Sequence, residues 1–419
     1  MNNFSRVKSA CYTTNVTMSA VCNLSPILFL TFRSLYGISY SLLGLLVLLN
    51  FVPQLLIDLT FSFFSHKFDI NKTVKATPII AIIGFVVYAF APILFPDNVY
   101  LGLVIGTIIF ATSSGLAEVL ISPTISAIPS DNPDREMSKL HSIYAWGVVG
   151  VIIYSTLFLF IFGQKNWQWL ALSLALIPLL AFILFSKTEL PKMETPEKVS
   201  GALAFMKNKM LWLCFLAIFL GGASECTMNQ WASSYIEQAL GLPKIWGDIF
   251  GVALFGLTLG VGRTWYSKYG KNIEKILFLG AIGATVCYLT ASITNFAILG
   301  LIACALTGFC VSMLWPGSLI VASEKFPTSG VFIYAVMAAG GDLGASIGPQ
   351  IIGIITDSII ANPSSINLAS SLNLSVEQLA MKSGMLIGMI FPMLAIFIYF
   401  LLIKSKRKSK TNLLNKLEN

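Results

Sequence analysis

Three acidic residues, Glu118, Glu225 and Asp342, lie inside long apolar stretches of a chain of 419 residues. A lone carboxylate at the centre of a bilayer costs about 2.5 to 3.5 kcal/mol on insertion scales. Acidic residues therefore persist at such positions where they line a water-filled path or bind a ligand. The pattern predicts an ion-binding or solute-binding site inside a membrane protein.

Glu118 is the predicted proton-coupling residue. It falls near the middle of its apolar stretch, and Ser114 and Ser122 share its helix face at a spacing of four residues. A carboxyl group shielded from water there could take up and release a proton near neutral pH. The alternative is a protonated glutamate that hydrogen-bonds a neighbouring helix and has only a structural role.

A predicted solute-binding group surrounds Glu225. Asn229 and Gln230 can each donate and accept hydrogen bonds, as a hydroxyl-rich ligand requires, and Trp231 offers a flat apolar face. These four residues are predicted to contact the solute. The alternative is a polar clamp between helices, because the glycines that precede Glu225 would permit close helix packing.

Asn50, Gln54 and Asp58 form a polar stripe, since their spacing of four residues places them on one helix face. Such a stripe is predicted to face water or polar partners and not lipid. It could gate the transport path, or it could hold neighbouring helices together.

Asp342 and three aromatic residues complete the predicted solute-binding set. Asp342 follows a Gly-Gly pair and could bind a cation or the solute, or could cap backbone groups at a glycine-opened break. Tyr144, Trp146 and Trp315 could stack on a flat ligand. Aromatic residues in membrane helices also commonly serve packing or anchoring roles.

The composition places all these residues in a membrane. Hydrophobic residues make up 56% of the chain and charged residues 11%, against roughly 25% charged in a soluble domain. A span needs about 20 apolar residues, and backbone hydrogen bonding in lipid favours helices here over the short alternating segments of a barrel. The predicted fold is all-α, with twelve transmembrane helices over residues 10–32, 39–64, 76–95, 99–128, 139–163, 167–187, 209–239, 246–268, 273–294, 296–323, 328–358 and 381–403.

The basic residues predict the orientation. With the N-terminus inside, 23 of the 27 Lys and Arg residues lie on the cytoplasmic side, as the positive-inside rule requires. Both termini are predicted to be cytoplasmic in a multi-pass plasma-membrane protein, and the short loops favour a bacterial membrane. The basic segment 404–410 is predicted to contact anionic membrane lipid.

The sequence divides into two halves that echo each other, which predicts a pseudo-symmetric bundle. A charged segment with two prolines, 188–208, separates six predicted spans in 1–187 from six in 209–404, and 405–419 forms a basic cytoplasmic tail. The spacing of Gly115 and Pro123 returns at Gly308 and Pro316. Such a duplication is typical of transporters whose solute site lies at the bilayer midplane between the halves.

In this arrangement the chain resembles the major facilitator superfamily over essentially its whole length. Glu118 with Ser122-Pro123 is similar to the Glu-x3-Asn-Pro pattern of the fucose-permease-like branch, the fucose–galactose–glucose:proton symporters. Segments 312–316 (Ser-Met-Leu-Trp-Pro) and 337–357 resemble spans 10 and 11 of that branch. Ser122 stands where the branch has Asn, and the first span has no acidic residue where characterised symporters carry Asp. The resemblance implies alternating access, sugar–proton symport and a coupling role for Glu118.

Other classes of protein are excluded by the same sequence. The net charge of +8 is spread over the ends of apolar stretches and forms no patch for nucleic acid. The seven cysteines lack the spacing of metal ligands or of a disulfide framework. Neither a phosphate-binding loop nor a catalytic triad is present. The sequence therefore predicts no enzyme, no metal site and no cofactor.

The predicted function is secondary active transport of a small polar solute, such as a sugar or polyol, by alternating access. The coupling ion is a proton or sodium, and proton-coupled uptake is the leading hypothesis. The alternative is proton-driven export of a lipophilic cation, drug or metabolite, with Glu225 and Asp342 attracting the positive charge. A receptor or scaffold that does not transport is disfavoured, because the short loops offer little surface to a partner.

Overall fold

The computed structural model describes residues 3–64, 67–129, 133–191, 207–326 and 331–417. All regular secondary structure in those residues is helical. Eleven helical stretches are long and apolar enough to cross a membrane, and a bent pair of helices at the N-terminus makes a twelfth span. The predicted all-α fold with twelve spans is confirmed.

The first six spans are single helices or pairs of helices. Their bounds are Asn3–Ile27 with Phe29–Tyr36 for span 1, Tyr40–Phe64 for span 2, Ile70–Ala89 with Ala91–Leu94 for span 3, Val99–Ser126 for span 4, Pro133–Phe162 for span 5, and Trp167–Leu174 with Leu176–Ser186 for span 6. A 3₁₀ turn, Gln164–Asn166, connects spans 5 and 6.

The last six spans are also single helices or pairs, except that span 8 consists of three segments. Their bounds are Lys209–Leu240 for span 7, Lys244–Trp246, Gly247–Ala253 (a π-helix) and Leu254–Tyr269 for span 8, Ile273–Ile293 for span 9, Ala297–Val311 with Leu314–Lys325 for span 10, Val331–Ala361 for span 11, and Val376–Gly388 with Ile390–Leu417 for span 12. A short helix, Ser364–Ser371, lies between spans 11 and 12. Because the number of spans is even, span 1 begins and span 12 ends on the same face of the bundle, here named the terminal face. The other side is the opposite face.

Span 1 begins at Asn3, before the predicted residue 10, and bends by 45° at Leu28. Pro26 has no N–H group, so it cannot bond to the carbonyl of Cys22 one turn earlier. Gln230 of span 7 donates to that carbonyl from Nε2 at 3.5 Å. A polar side chain from another span thus satisfies a backbone group that the proline leaves without its helical partner.

Span 3 begins at Ile70, six residues before its predicted start. Its N-cap, Asp69, accepts a hydrogen bond from the backbone N–H of Lys72 at 3.1 Å, and this bond lowers the pKa of the Asp69 carboxyl. The first two turns carry Lys72 and Lys75, so hydropathy alone does not mark them as part of the span.

The two halves close against each other on the opposite face through spans 2 and 11. A side chain at Gly353 would collide with the backbone carbonyl of Tyr40, so the two helices touch backbone to backbone. Asp357 accepts hydrogen bonds from the backbone N–H groups of Tyr40 (3.0 Å) and Ser41 (2.7 Å), which begin span 2 and have no partner within their own helix. The carboxylate of span 11 therefore caps the helix of the other half.

Contacts on the terminal face join spans within the first half. Lys8 of span 1 forms an ion pair with Glu136 of span 5 at 2.7 Å, and the Tyr12 hydroxyl donates to the same carboxylate at 3.0 Å. The hydrogen bond from Lys8 lowers the pKa of Glu136. Most of the predicted linker, residues 192–206, lies outside the described residues, and the helix of span 12 continues to Leu417 through the predicted basic tail.

Candidate ion and solute site

Three carboxyl groups from three different spans meet inside the bundle. Asp58 of span 2, Glu118 of span 4 and Asp342 of span 11 each place a carboxylate oxygen within 4.8 Å of the other two. Asp58 and Asp342 are each 3% exposed, whereas Glu118 is exposed. A carboxylate oxygen of Glu118 lies within 4.8 Å of Asp342 in the other half of the protein, so we infer that the exposed surface of Glu118 faces the boundary between the halves and not lipid. We name these three residues the acidic cluster.

Glycine sets the distance between spans 2 and 4 at this cluster. A Cβ atom on Gly115 would lie 2.8 Å from Cα of Gln54, so the two helices approach at backbone distance. Spans 2 and 4 run in the same direction. Glu118 follows Gly115 by three residues and Asp58 follows Gln54 by four, so both acids lie one turn beyond the closest approach.

Small residues also position Asp342. A Cβ atom on Gly341 would lie 2.5 Å from the ring of Trp315, and a side chain on Gly344 would collide with the carbonyl of Phe219 in span 7. Span 11 therefore packs closely on spans 7 and 10, which fixes the side of the helix that carries Asp342. The helix that carries Asp342, Val331–Ala361, is unbroken, so the backbone break considered from the sequence is absent there. The glycines beside Asp342 instead permit close packing of this helix on its neighbours.

The acidic cluster cannot carry three unneutralised charges. Two unit charges 4.8 Å apart repel by about 3 to 4 kcal/mol at an effective dielectric constant of 20. Asp58 and Asp342 are also almost wholly buried, and burial adds the cost of removing an ionised carboxylate from water. The cluster must therefore hold at least one proton or a cation. Sequence analysis predicted no metal site because these acids are far apart in the chain, but three oxygen ligands in this geometry could also surround an ion.

The predicted polar stripe faces the protein interior. Asn50 and Gln54 are 5% and 3% exposed, and Gln54 donates from Nε2 to the carbonyl of Asn50 at 2.7 Å. Asn50 donates from Nδ2 to Sγ of Cys22 in span 1 at 3.8 Å. The stripe thus runs from the boundary with span 1 down to the acidic cluster at Asp58.

Glu225 is part of an ion pair that sequence analysis did not predict. Arg263 of span 8 reaches both carboxylate oxygens of Glu225 from Nη2, at 3.1 and 3.3 Å, and donates from Nε to the carbonyl of Ser312 at 3.1 Å. The side chains are 15% and 39% exposed for Glu225 and Arg263. Arg263 therefore joins spans 7, 8 and 10. The sequence feature that could have indicated this ion pair is an arginine inside one apolar stretch together with an acidic residue inside another.

The other three residues of the group predicted around Glu225 occupy different environments. Asn229 is half-buried, and Gln230 is 2% exposed and contacts span 1 through Cys22. Trp231 is fully buried, donates from Nε1 to the carbonyl of Pro349 at 2.9 Å, and packs against the rings of Phe29 and Tyr40. A solute cannot reach the faces of Trp231 in this conformation, so the predicted stacking role does not fit it.

The other three aromatic residues of the predicted solute-binding set also differ in burial and position. Tyr144 is half-buried, its side chain contacts Cys22 of span 1, and its backbone carbonyl accepts a hydrogen bond from the Ser19 hydroxyl of the same span at 2.9 Å. Trp146, two residues later, faces another side of the helix and is 67% exposed, so the structure does not place it with the other residues of the predicted solute-binding set. Trp315 is half-buried, with its ring over Gly341 beside the acidic cluster.

Cys22 lies where several of these polar groups converge, a position that sequence analysis treated as an ordinary buried residue. Its backbone carbonyl and its thiol contact Gln230, Asn50 and Tyr144, which belong to spans 7, 2 and 5. No sequence pattern marks this position, because its polar contacts come from other spans.

Residues 10–349 match the family model described as Major Facilitator Superfamily. The chain belongs to the major facilitator superfamily. Membership explains the twelve spans and the two sets of six helices that meet along spans 2 and 11. A protein of this superfamily is a multi-pass membrane transporter and not an enzyme. No match was found among curated protein sequences.

Solved structures of this superfamily share the fold at low sequence identity. A bacterial homologue of the human lysosomal transporter Spinster, in an inward-facing and occupied conformation, has a TM-score of 0.74 and 13% identity over 96% of this chain and 97% of that chain. A D-xylose–proton symporter has a TM-score of 0.71 and 15% identity over 93% and 97%. The E. coli fucose:proton symporter has a TM-score of 0.62 and 13% identity over 96% and 99%. The predicted superfamily is therefore confirmed, but the fucose-permease-like branch is one of several similar groups and is not singled out.

Proposed function

We propose that this superfamily member couples the movement of a proton to the uptake of a small polar solute, with Glu118 as the residue that carries the proton. The observation that supports the proposal is the acidic cluster, because its members come from both halves of the protein. Alternating access rocks the halves against each other. Any such motion changes the distance from Asp342 to Asp58 and Glu118, and therefore changes the charge that the cluster can tolerate.

The position of the cluster fits the coupling step. Asp58, Glu118 and Asp342 all lie in the third of their spans nearest the terminal face, while the opposite face is closed by Asp357 and Tyr40. The exposed carboxyl of Glu118 can exchange protons with water on the terminal side. When the halves separate there, Asp342 moves away from the other two acids, and the cluster can then release its proton.

Polar side chains nearer the opposite face are the proposed solute contacts. Asn50 of the first half and Gln230 of the second both reach Cys22, and Asn229 lies half-buried on the same helix as Gln230. Amide groups both donate and accept hydrogen bonds, which suits the hydroxyl groups of a sugar or polyol. The xylose and fucose symporters among the structural neighbours make such a solute the first class to test.

A ligand screen followed by a proton-flux measurement tests the proposal. Purified protein is heated with sugars, polyols, nucleosides, organic acids and lipophilic cations, and a ligand at 100 times its Kd should stabilise it by about 2.7 kcal/mol. Each stabilising ligand is then added outside proteoliposomes that contain a pH-sensitive dye, without an imposed gradient. Solute entry should acidify the lumen. Solute entry that requires sodium and leaves the pH of the lumen unchanged would contradict proton coupling.

Proton-driven export of a lipophilic cation is the second candidate, and the acidic cluster also supports it. Three carboxyl groups within 4.8 Å of one another would attract a positively charged substrate. In that case the screen should return cations, and their entry into the vesicle lumen should release protons from it.

A further inference from the structure

A cavity of about 310 Å³ lies on the opposite face, away from the acidic cluster. Its walls come from the end of span 9, the connection between spans 11 and 12, and the first turns of span 12. The volume is at the lower end of the range of about 300 to 1,000 Å³ that is typical of small-ligand pockets. Its lining includes Lys382, the only basic residue of the described part of the chain that borders this cavity.

Lys382 is buried without a counter-charge. It is 5% exposed, and its ammonium group donates to the backbone carbonyl of Thr294 and, at 2.6 Å, to Oδ1 of Asn295. An ammonium group carries three donors, so one remains for another partner. Both observed acceptors are neutral, and no carboxylate of the described residues forms an ion pair with Lys382. Glu377, the acid five residues earlier in span 12, pairs instead with Arg33 at 3.0 Å.

The chemistry around Lys382 is suited to an anion with an apolar chain. A buried cation gains most from a charged acceptor that replaces the water it has lost. Asn295 accepts from Lys382 through its amide oxygen, which leaves its NH2 group as a donor toward a ligand. Ser383, also in the lining, adds a hydroxyl group.

The rim of the cavity continues onto exposed apolar side chains. Ile293 is 68% exposed, Leu372 49% and Leu386 41%. Ile293 ends span 9, Leu386 lies near the start of span 12 and Leu372 lies in the connection before it, so a membrane crossed by these spans would bring lipid headgroups and upper acyl chains to this rim. A soluble anion would leave this apolar rim uncovered, whereas an acyl chain would cover it.

We propose that this cavity binds an anionic phospholipid of the membrane leaflet on the opposite face. The lipid phosphate contacts the ammonium group of Lys382 and the amide of Asn295, and an acyl chain lies over Ile293 and Leu386. The site is separate from the transport path, so the proposal does not depend on the solute or on the coupling ion.

Lipid retention by the purified full-length protein tests this site. The protein is equilibrated in micelles with equal amounts of phosphatidylglycerol and phosphatidylcholine of the same acyl chains, and bound lipid is counted by native mass spectrometry. The wild type should retain phosphatidylglycerol in preference, and Lys382→Met should reduce that preference about tenfold. Lys382→Arg should preserve it. Lys165→Met, which removes an exposed lysine from the same face, is the matched control and should leave the preference unchanged.

Two results would overturn the proposal. One is a lipid preference in Lys382→Met equal to that of the wild type. The other comes from the wild type alone, which keeps the test decisive even if Lys382→Met does not fold. Short-chain phosphatidylglycerol below its micelle concentration should raise the melting temperature, and inorganic phosphate at the same concentration should not. Equal shifts with both would assign the cavity to a free anion.

Discussion

Replacing Glu118 with Gln should remove proton coupling while leaving the protein folded. The substitution keeps the size of the side chain and removes one negative charge within 4.8 Å of both Asp58 and Asp342. Each repulsion that it can relieve is about 3 to 4 kcal/mol at an effective dielectric constant of 20, and less where a proton already neutralises the neighbour. The variant should therefore melt at or above the temperature of the wild type. A loss of transport would then reflect lost coupling and not misfolding.

The size of the expected effect follows from the free energy of the proton gradient. One pH unit supplies about 1.4 kcal/mol for each proton, which corresponds to a tenfold accumulation of a neutral solute. With one proton per solute, the wild type should approach tenfold accumulation across a gradient of one pH unit. Glu118→Gln should accumulate the solute to a ratio of about one.

Proteoliposomes at an internal pH of 7.5 and an external pH of 6.5 measure this ratio directly, with a solute identified by the ligand screen. Counterflow exchange of labelled for unlabelled solute, measured without a gradient, should stay within about twofold of the wild type, since exchange needs no net proton movement. Glu324→Gln, the same chemical change at the exposed end of span 10, is the control and should accumulate normally. Tenfold accumulation by Glu118→Gln would refute the coupling role. If the variant lost both accumulation and counterflow exchange, Glu118 would have a structural role instead.

Three other substitutions test the structural basis of the site. Arg263→Ala leaves the carboxylate of Glu225 without its ion pair and should lower the free energy of unfolding by about 1 to 3 kcal/mol, between the values for exposed and buried pairs. Denaturation in detergent measures this loss, and adding Glu225→Gln should restore part of it. Gly115→Ala should lower the melting temperature and the transport rate because spans 2 and 4 must separate, whereas Gly150→Ala, with open space around it, should be neutral or stabilising. Glu136→Gln should cost up to about 1 kcal/mol at pH 7. That difference should shrink as the pH falls below the ordinary glutamate pKa of about 4.3 and vanish below the lowered pKa of Glu136, because the stabilisation is complete above the first value and is lost as the pH falls through the second.

The fold follows from sequence features that act within one span. Length and hydropathy mark each helix, and all twelve predicted spans correspond to helices of the structure. The bend at Leu28 and the early start at Ile70 were missed for local reasons, a proline and a basic first turn, that an apolar scan does not weigh.

The site is harder to predict because its contacts join different spans. The sequence predicts Glu118 as a coupling residue, Asp342 as a solute contact and Asp58 as part of a gating or interhelical polar stripe, yet the three form one cluster. Periodicity states which face of a helix a residue occupies, but not which helix that face meets or at what height. The neighbouring helix and the height of contact are set by close approaches at glycines such as Gly115 and Gly341. The residue that each glycine contacts lies in another span and cannot be identified from the sequence of one span.

The same geometry gives a physical reason why proton binding and the motion of the halves should be linked. In this conformation Asp342 contributes its carboxyl from the second half, and Asp58 and Glu118 contribute theirs from the first. If all three were ionised, their repulsion would push the halves apart near the terminal face, while the cap of Asp357 on span 2 holds them together at the opposite face. A proton bound between Asp58 and Asp342 removes that repulsion and adds a hydrogen bond across the boundary. The proton and the closed arrangement of spans 2 and 11 should therefore stabilise each other, and by linkage each must favour the other to the same extent.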